Sequence, residues 1–303
     1  MTHNIAIHKE HRLAGQGAIF LCAMLWSTSG LFIRLLDWHP VVIGGGRSVL
    51  AAVVLLALRL FSRRRRSRSS GMTMPEKAPP RKVLTFAAFG LCYAATMILF
   101  VIANKLTASA NAIVLQYTAP VWAALLGWLV LREKPHWEHW CAMVLVGLGM
   151  LLVFSGGFAA ASLLGDALAL ISGITFAANS VVLRLNKNDN PADILIFSHI
   201  QCLLFSVPFF ILYPPSFSVN SIFCILFMGI FQIGAASALF AYGIRRVPAV
   251  QAMLIAAIEP VLNPVWVLLA IGEKPAISVI AGGGLIVAAV IFSSTLSALR
   301  RRS

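Results

Sequence analysis

The strongest constraint on this chain is that it repeats itself. Ala119-Pro120-Val121, followed by Arg132-Glu133-Lys134-Pro135, returns 140 residues later as Glu259-Pro260-Val261, followed by Gly272-Glu273-Lys274-Pro275. Between 112–135 and 252–275, seven of 24 positions are identical. A second echo relates Gly15 to Arg34 with Gly165 to Arg184, at an offset of 150. The ten-residue difference matches the excess length of one basic linker. A repeat of this period in an apolar chain points to two related halves.

The apolar content sets the solvent. Hydrophobic residues make up 59% of the 303 and charged residues 11%, whereas a soluble domain carries about 25% charged residues. Such a chain cannot cover a water-facing surface, so the expected fold is an all-α membrane protein. A helical span needs about 20 apolar residues. Ten segments qualify, near 14–36, 40–60, 83–103, 109–131, 138–155, 163–184, 193–213, 219–242, 248–271 and 275–297. Short loops between them make neighbouring helices antiparallel.

The net charge of +14 reads as a membrane orientation signal, not as nucleic-acid binding. With the N-terminus inside, 20 of the 24 basic residues fall on the cytoplasmic side, which predicts N-in and C-in. The domain layout is then a cytoplasmic N-terminus 1–13, a first repeat 14–155, a second repeat 163–297 and a basic tail 298–303. The one long linker, 61–82, is rich in Pro, Ser and Arg; its composition resists packing and serves as a topology anchor. Each half holds five spans. An odd number forces the second half to insert from the opposite face, so the halves are expected to be inverted copies around a central cavity. A body of that kind has two shapes of similar energy, one open to each side, as alternating access requires.

At this point a family resemblance becomes specific. It is carried by Trp26 with Ser27-Thr28-Ser29-Gly30, by Arg47-Ser48-Val49-Leu50-Ala51, by Gln116-Tyr117-Thr118-Ala119-Pro120 through Pro135, and by Glu259-Pro260 through Pro275. Over about residues 14–297 the sequence resembles the drug/metabolite transporter superfamily, in its ten-span EamA branch. The resemblance implies a basket of ten helices around a central cavity. It also implies transport of small metabolites such as amino acids, their analogues or toxic amphipaths, often outward, in a bacterial cytoplasmic membrane. The family contains monomers and homodimers. Its motifs are distinctive for the fold and poor at naming a solute.

Ionisable groups inside lipid cost at least about 2.5–3.5 kcal/mol, so they usually face a cavity or a partner. Glu259 lies near the middle of the ninth span and Arg47 about two turns into the second. Glu259 is read as a proton acceptor or a contact for a solute amine, with an ion pair to Arg47 or Arg34 as the structural alternative. Gln251, Ile255, Glu259 and Asn263 follow at steps of four, which puts them on one helix face. Asn111 is the counterpart of Gln251 in the first half. Trp26, Ser29, Tyr93, Gln116, Tyr117, Asn179 and Gln232 complete the predicted solute site, an apolar pocket with a few polar contacts. His199 is a candidate proton relay, with interhelical packing the plainer role. Pro120, Pro260 and Pro264 each remove a backbone donor and are the expected hinges.

Other function classes lack ingredients. The clusters His8-Lys9-Glu10-His11 and His136-Trp137-Glu138-His139-Trp140 hold His pairs three apart, unlike the i, i+4 pair of a zinc helix. They read as membrane-edge residues. Cys22, Cys92, Cys141, Cys202 and Cys224 are scattered in apolar runs and form no CxxC, so they read as buried hydrophobes. No metal or cofactor is expected, nor a partner ATPase, because no phosphate loop or nucleophile elbow occurs. The expected partners are a small solute and the bilayer. The rival readings are a membrane enzyme or flippase on lipid-linked substrates, which would need clustered acids, and a sensor, which would need a long soluble domain. Glycines 147, 149 and 282–284 mark close helix packing, so the fifth and tenth spans are expected to support the fold away from the solute.

Overall fold

The computed structural model describes residues 2–67, 80–107, 109–155, 162–186, 191–271 and 276–300. Among them every regular element is helical. All ten predicted segments are helical, and several are divided. The elements are α1 (Thr2–Trp26), α2 (Ser29–Arg34), α3 (Pro40–Ser67), α4 (Pro80–Leu106), α5 (Ser109–Gln116), α6 (Ala119–Leu126) and α7 (Trp137–Phe154), followed by α8 (Leu163–Leu185), α9 (Pro191–Leu212), α10 (Val219–Phe227), α11 (Ala236–Ile244), α12 (Ala249–Ala256), α13 (Glu259–Ile271) and α14 (Ile277–Leu299). Two π-helical stretches, Gly127–Leu131 and Met228–Ala235, follow α6 and join α10 to α11.

Seven helical stretches are long and apolar enough to cross a membrane: Pro40–Phe61, Leu84–Leu106, Ala112–Leu131, Leu163–Leu185, Ala192–Leu212, Val219–Ile244 and Ile277–Ser297. Trp137–Val153 and Ala249–Leu262 are shorter apolar helices. Many large apolar side chains lie on the outside, among them Leu129, Leu204, Ile211 and Phe223. That surface is stable in hydrocarbon and costly in water.

Two boundaries differ from expectation. Helix α1 begins at Thr2, ahead of the predicted span, and α3 runs on to Ser67 through the arginine run. Polar side chains on a helix protruding beyond the apolar layer carry no desolvation cost, so the helical backbone continues past the hydrophobic limit. Residues 68–79 of the linker, 301–303 of the tail and the second-copy motif Gly272 to Pro275 lie outside the described residues.

The packing order positions the interior. Helix α4 lies against α8 and α9, α1 against α11, and α3 against α9 and the stretch 228–235. Helices α5 and α6 lie on α8, α12 on α6 and α1, and α7 on α14. The α7–α14 seam is the closest. A Cβ placed on Gly149 would sit 2.8 Å from the Gly282 carbonyl, and one on Gly282 would sit 2.7 Å from the Val153 amide. Only glycine permits that approach.

Candidate functional site

Three helical segments break in the interior, and each break has a local cause. Between α5 and α6, Pro120 removes the amide that the Gln116 carbonyl would use, and Thr118 Oγ1 turns back onto the Leu115 carbonyl at 2.7 Å. Between α12 and α13, Pro260 does the same to the Ala256 carbonyl. Between α1 and α2 no proline is present. Instead Ser27 Oγ and Thr28 Oγ1 donate to the carbonyls of Met24 and Leu25, both at 2.7 Å. Hydroxyls that take backbone carbonyls compete with the helix ladder.

The breaks surround a chamber of about 60 Å³ lined by Trp26, Ser29, Arg47, Gln116, Gln232 and Glu259, with Thr96, Met97, Phe100, Phe176 and Ile233. Six predicted residues therefore share one space. Trp26 meets Phe176 edge-on at 5.6 Å and Phe240 at 5.3 Å, forming an aromatic wall. Arg47 is buried, its Nη1 lies 3.5 Å from Gln232 Oε1, and its Nε has no hydrogen-bond partner among the described residues. Gln232 also donates to Thr28 Oγ1 at 3.3 Å, which ties the π-helical stretch to the first break. Gln116 donates to Ser172 Oγ at 3.0 Å. Glu259 opens α13, and its Oε2 accepts the Tyr117 hydroxyl at 2.7 Å. The chamber thus holds one acid, one incompletely partnered base, two amides and an aromatic face.

Other predicted residues stand apart. The helix break at Ala257–Ile258 parts the expected stripe of Gln251, Ile255, Glu259 and Asn263, because a stripe at steps of four needs one unbroken helix. Gln251 is wholly buried; its Oε1 accepts Arg12 Nη2 at 2.8 Å and its amide donates to Ser294 Oγ at 3.4 Å. Tyr93 Oη lies 3.4 Å from His199 Nε2, both buried behind the chamber wall. His199 Nδ1 and Asn179 Oδ1 are buried without a hydrogen-bond partner among the described residues. The side chains of Asn111, Asn263, Pro264 and Arg34 lie outside the described residues. Glu259 therefore pairs with a tyrosine where an arginine was the expected structural partner.

Sequence reasoning missed Thr96, Met97, Phe100, Phe176 and Ile233. For Phe176 the signal was present: it is the counterpart of Trp26 at the offset of 150. The others sit on plain apolar segments and carry no mark. Phe100 lies one turn beyond Thr96, on the same face of α4.

A second cavity, about 380 Å³, lies at the basic end, lined among others by Arg12, Arg132, Lys134, His139 and Arg300. It is larger, yet it lies apart from the helix breaks and from Glu259. At the same end Arg184 meets Glu133 at 2.9 Å and donates to the carbonyls of Ile244 and Arg245 at 3.0 and 2.8 Å. Arg300 meets Glu138 at 3.2 Å, and Arg59 pairs with Asp193. His136 and His139 form a capping box at the start of α7, with the His136 amide 3.1 Å from His139 Nδ1.

Comparison with known proteins agrees with this architecture. The EamA-like transporter family matches residues 13–155 and 163–295. A protein of Archaeoglobus fulgidus described as an uncharacterized transporter is 23% identical over 286 residues, covering 90% of this chain and 95% of that one. The uncharacterized transporter YwfM of Bacillus subtilis is 27% identical over 267 residues, covering 84% and 85%. A protein of known crystal structure superposes with a TM-score of 0.77 at 21% identity, over 97% of this chain and 99% of that one, which establishes the shared fold. With both stretches matched across nearly its whole length, the chain belongs to the EamA-like transporter family, within the drug/metabolite transporter superfamily.

Proposed function

We propose that this protein is a secondary transporter that moves a small amphipathic metabolite, an amino acid or a related zwitterion, out of a bacterial cell by alternating access. The observation that carries this reading is the chamber itself. Glu259 and the incompletely partnered Arg47 face one buried space beside an aromatic wall. A carboxylate of the solute would complete Arg47, an ammonium would meet Glu259, and the apolar part would lie against Trp26 and Phe176. Glu259 also serves as the site of proton coupling.

The inverted-repeat reading has support in the packing. Counting the apolar segments one to ten, the first lies on the eighth as the sixth lies on the third. The second lies on the eighth as the seventh lies on the third, and the fourth lies on the sixth as the ninth lies on the first. The pairs second–seventh, fourth–ninth and fifth–tenth are their own counterparts. A twofold axis in the membrane plane produces this pattern. The two family matches, one per half, fit it as well. Ten crossings with both termini cytoplasmic, in the inner membrane, follow from the same scheme. The Arg184–Glu133 cluster then closes the cytoplasmic end.

The test is flux in proteoliposomes loaded with a panel of amino acids, with and without a pH gradient. Glu259→Gln is expected to abolish the response to the gradient, and Arg47→Gln to weaken uptake of carboxylate-bearing solutes. Gradient-driven flux that is identical in wild type and Glu259→Gln would remove Glu259 from the mechanism.

A further inference from the structure

Tyr117 has one hydroxyl proton and two acceptors. Its Oη lies 2.7 Å from Glu259 Oε2 and 3.0 Å from the Ala256 carbonyl. The second acceptor is an orphan for a covalent reason. In an unbroken helix the Ala256 carbonyl would accept from the amide of residue 260, and Pro260 has none. The amides of Ala257 and Ile258 bond backwards, to Met253 and Ile255, and Val261 bonds to Ile258. The tyrosine is buried and comes from the break between α5 and α6. A single hydroxyl therefore joins two helix breaks, one from each half of the chain, and it cannot serve both acceptors fully at once.

We propose that Tyr117 couples the protonation state of Glu259 to the Pro260 break. When Glu259 is ionised, the hydroxyl is drawn to the carboxylate by the stronger, charge-assisted bond. The Ala256 carbonyl is then left without a full donor in a dry interior, which is costly. When Glu259 takes a proton from the chamber, its own O–H donates to Tyr117 Oη. The tyrosine hydrogen rotates to the Ala256 carbonyl, and every group is satisfied. No heavy-atom bond changes; one proton is added and one hydroxyl turns. Protonation thus locks the break, and deprotonation loosens it. The groups facing Glu259 are Tyr117 and Gln116 beside the α5–α6 break, Cys22 of α1, Trp26 and Ser29 at the first break, Gln232 of the π-helical stretch and Arg47 of α3. Arg47 is the one charged side chain among them. The proposal rests on reading Glu259 as a proton acceptor, and it assigns Tyr117 a positioning role in place of solute contact.

The experiment is backbone hydrogen exchange of the segment 253–262, with the full chain in lipid nanodiscs, at acid and alkaline pH and corrected for the intrinsic pH dependence of exchange. It needs no solute. Wild type is expected to exchange about tenfold faster at alkaline pH, the factor for one hydrogen bond gained or lost. Tyr117→Phe should lose this pH dependence. Glu259→Gln, whose amide donates to Tyr117 at every pH, should stay slow throughout. Pro260→Ala restores the missing amide and should also stay slow throughout, although it touches neither Tyr117 nor Glu259. A pH dependence that persists in Tyr117→Phe, or an absence of one in wild type, overturns the proposal. If Tyr117→Phe does not fold, Pro260→Ala decides alone, and a persisting pH dependence there overturns it. Flux insensitive to Glu259→Gln would sink the transport reading while leaving the exchange result intact, so the two failures are distinguishable.

Discussion

The seam between α7 and α14 and the chamber around Glu259 are built on opposite terms. At the seam, Gly149 and Gly282 bring two backbones together with no side chain between them. Nothing there is left to satisfy, and nothing there can give. In the chamber three helices are broken, a buried guanidinium is incompletely partnered and one tyrosine is shared between two acceptors. The contrast separates stability from function within one bundle. The seam holds the fold at a single geometry. The chamber retains unsatisfied groups that a solute or a proton can satisfy, as sites that change shape must.

Substitutions can break this contrast. The largest expected effect is Gly282→Leu. The new Cβ meets the Gly149 carbonyl and the Val153 amide, and backbone cannot step aside. Loss of at least about 3 kcal/mol, seen as little monodisperse protein on size-exclusion chromatography in detergent, is the expected result. Normal yield and melting temperature would show that the seam is looser than described. Next comes Arg47→Met, with the opposite sign. Replacing an incompletely paired buried charge by a side chain of similar length should raise stability by about 1–3 kcal/mol while transport of carboxylate-bearing solutes falls at least tenfold. A lower melting temperature would mean that Arg47 holds the fold together. Arg184→Gln is expected to cost about 1 kcal/mol, since its pair with Glu133 is part exposed and such pairs contribute little. The smallest is Trp266→Phe. It removes the 2.6 Å bond from Nε1 to Ser27 Oγ, worth about 0.5–1.5 kcal/mol, and thermal unfolding in detergent should resolve it.

The apolar segments were legible in the sequence because lipid imposes length and composition on every crossing. The proline breaks were legible for a similar reason: a missing amide is written into the residue type. The chamber was legible in part. Trp26, Ser29, Arg47, Gln116, Gln232 and Glu259 stand out because polar or aromatic groups among apolar residues need an interior reason. What escaped was pairing at long range. Gln251 turns to Arg12, 239 residues away, and no local pattern encodes that contact. The steps of four from Gln251 to Asn263 misled because periodicity assumes an unbroken helix, while Pro260 follows directly on Glu259. The break at Ser27–Thr28 was hidden for another reason. Its cause is two hydroxyls turning onto carbonyls, a choice that depends on the surrounding packing.

The π-helical stretch Met228–Ala235 sets the rotational phase of everything after it. A wide turn of this kind behaves as one extra residue inserted in a helix, and each residue of a helix turns the next by about 100°. Deleting any single residue there would swing Ser237 and Phe240 away from the interior, while Gln232 would lose its line to Arg47. Alignments of relatives across this stretch should accordingly be anchored separately on its two flanks, since a one-residue gap there exchanges an inward polar position for an outward greasy one.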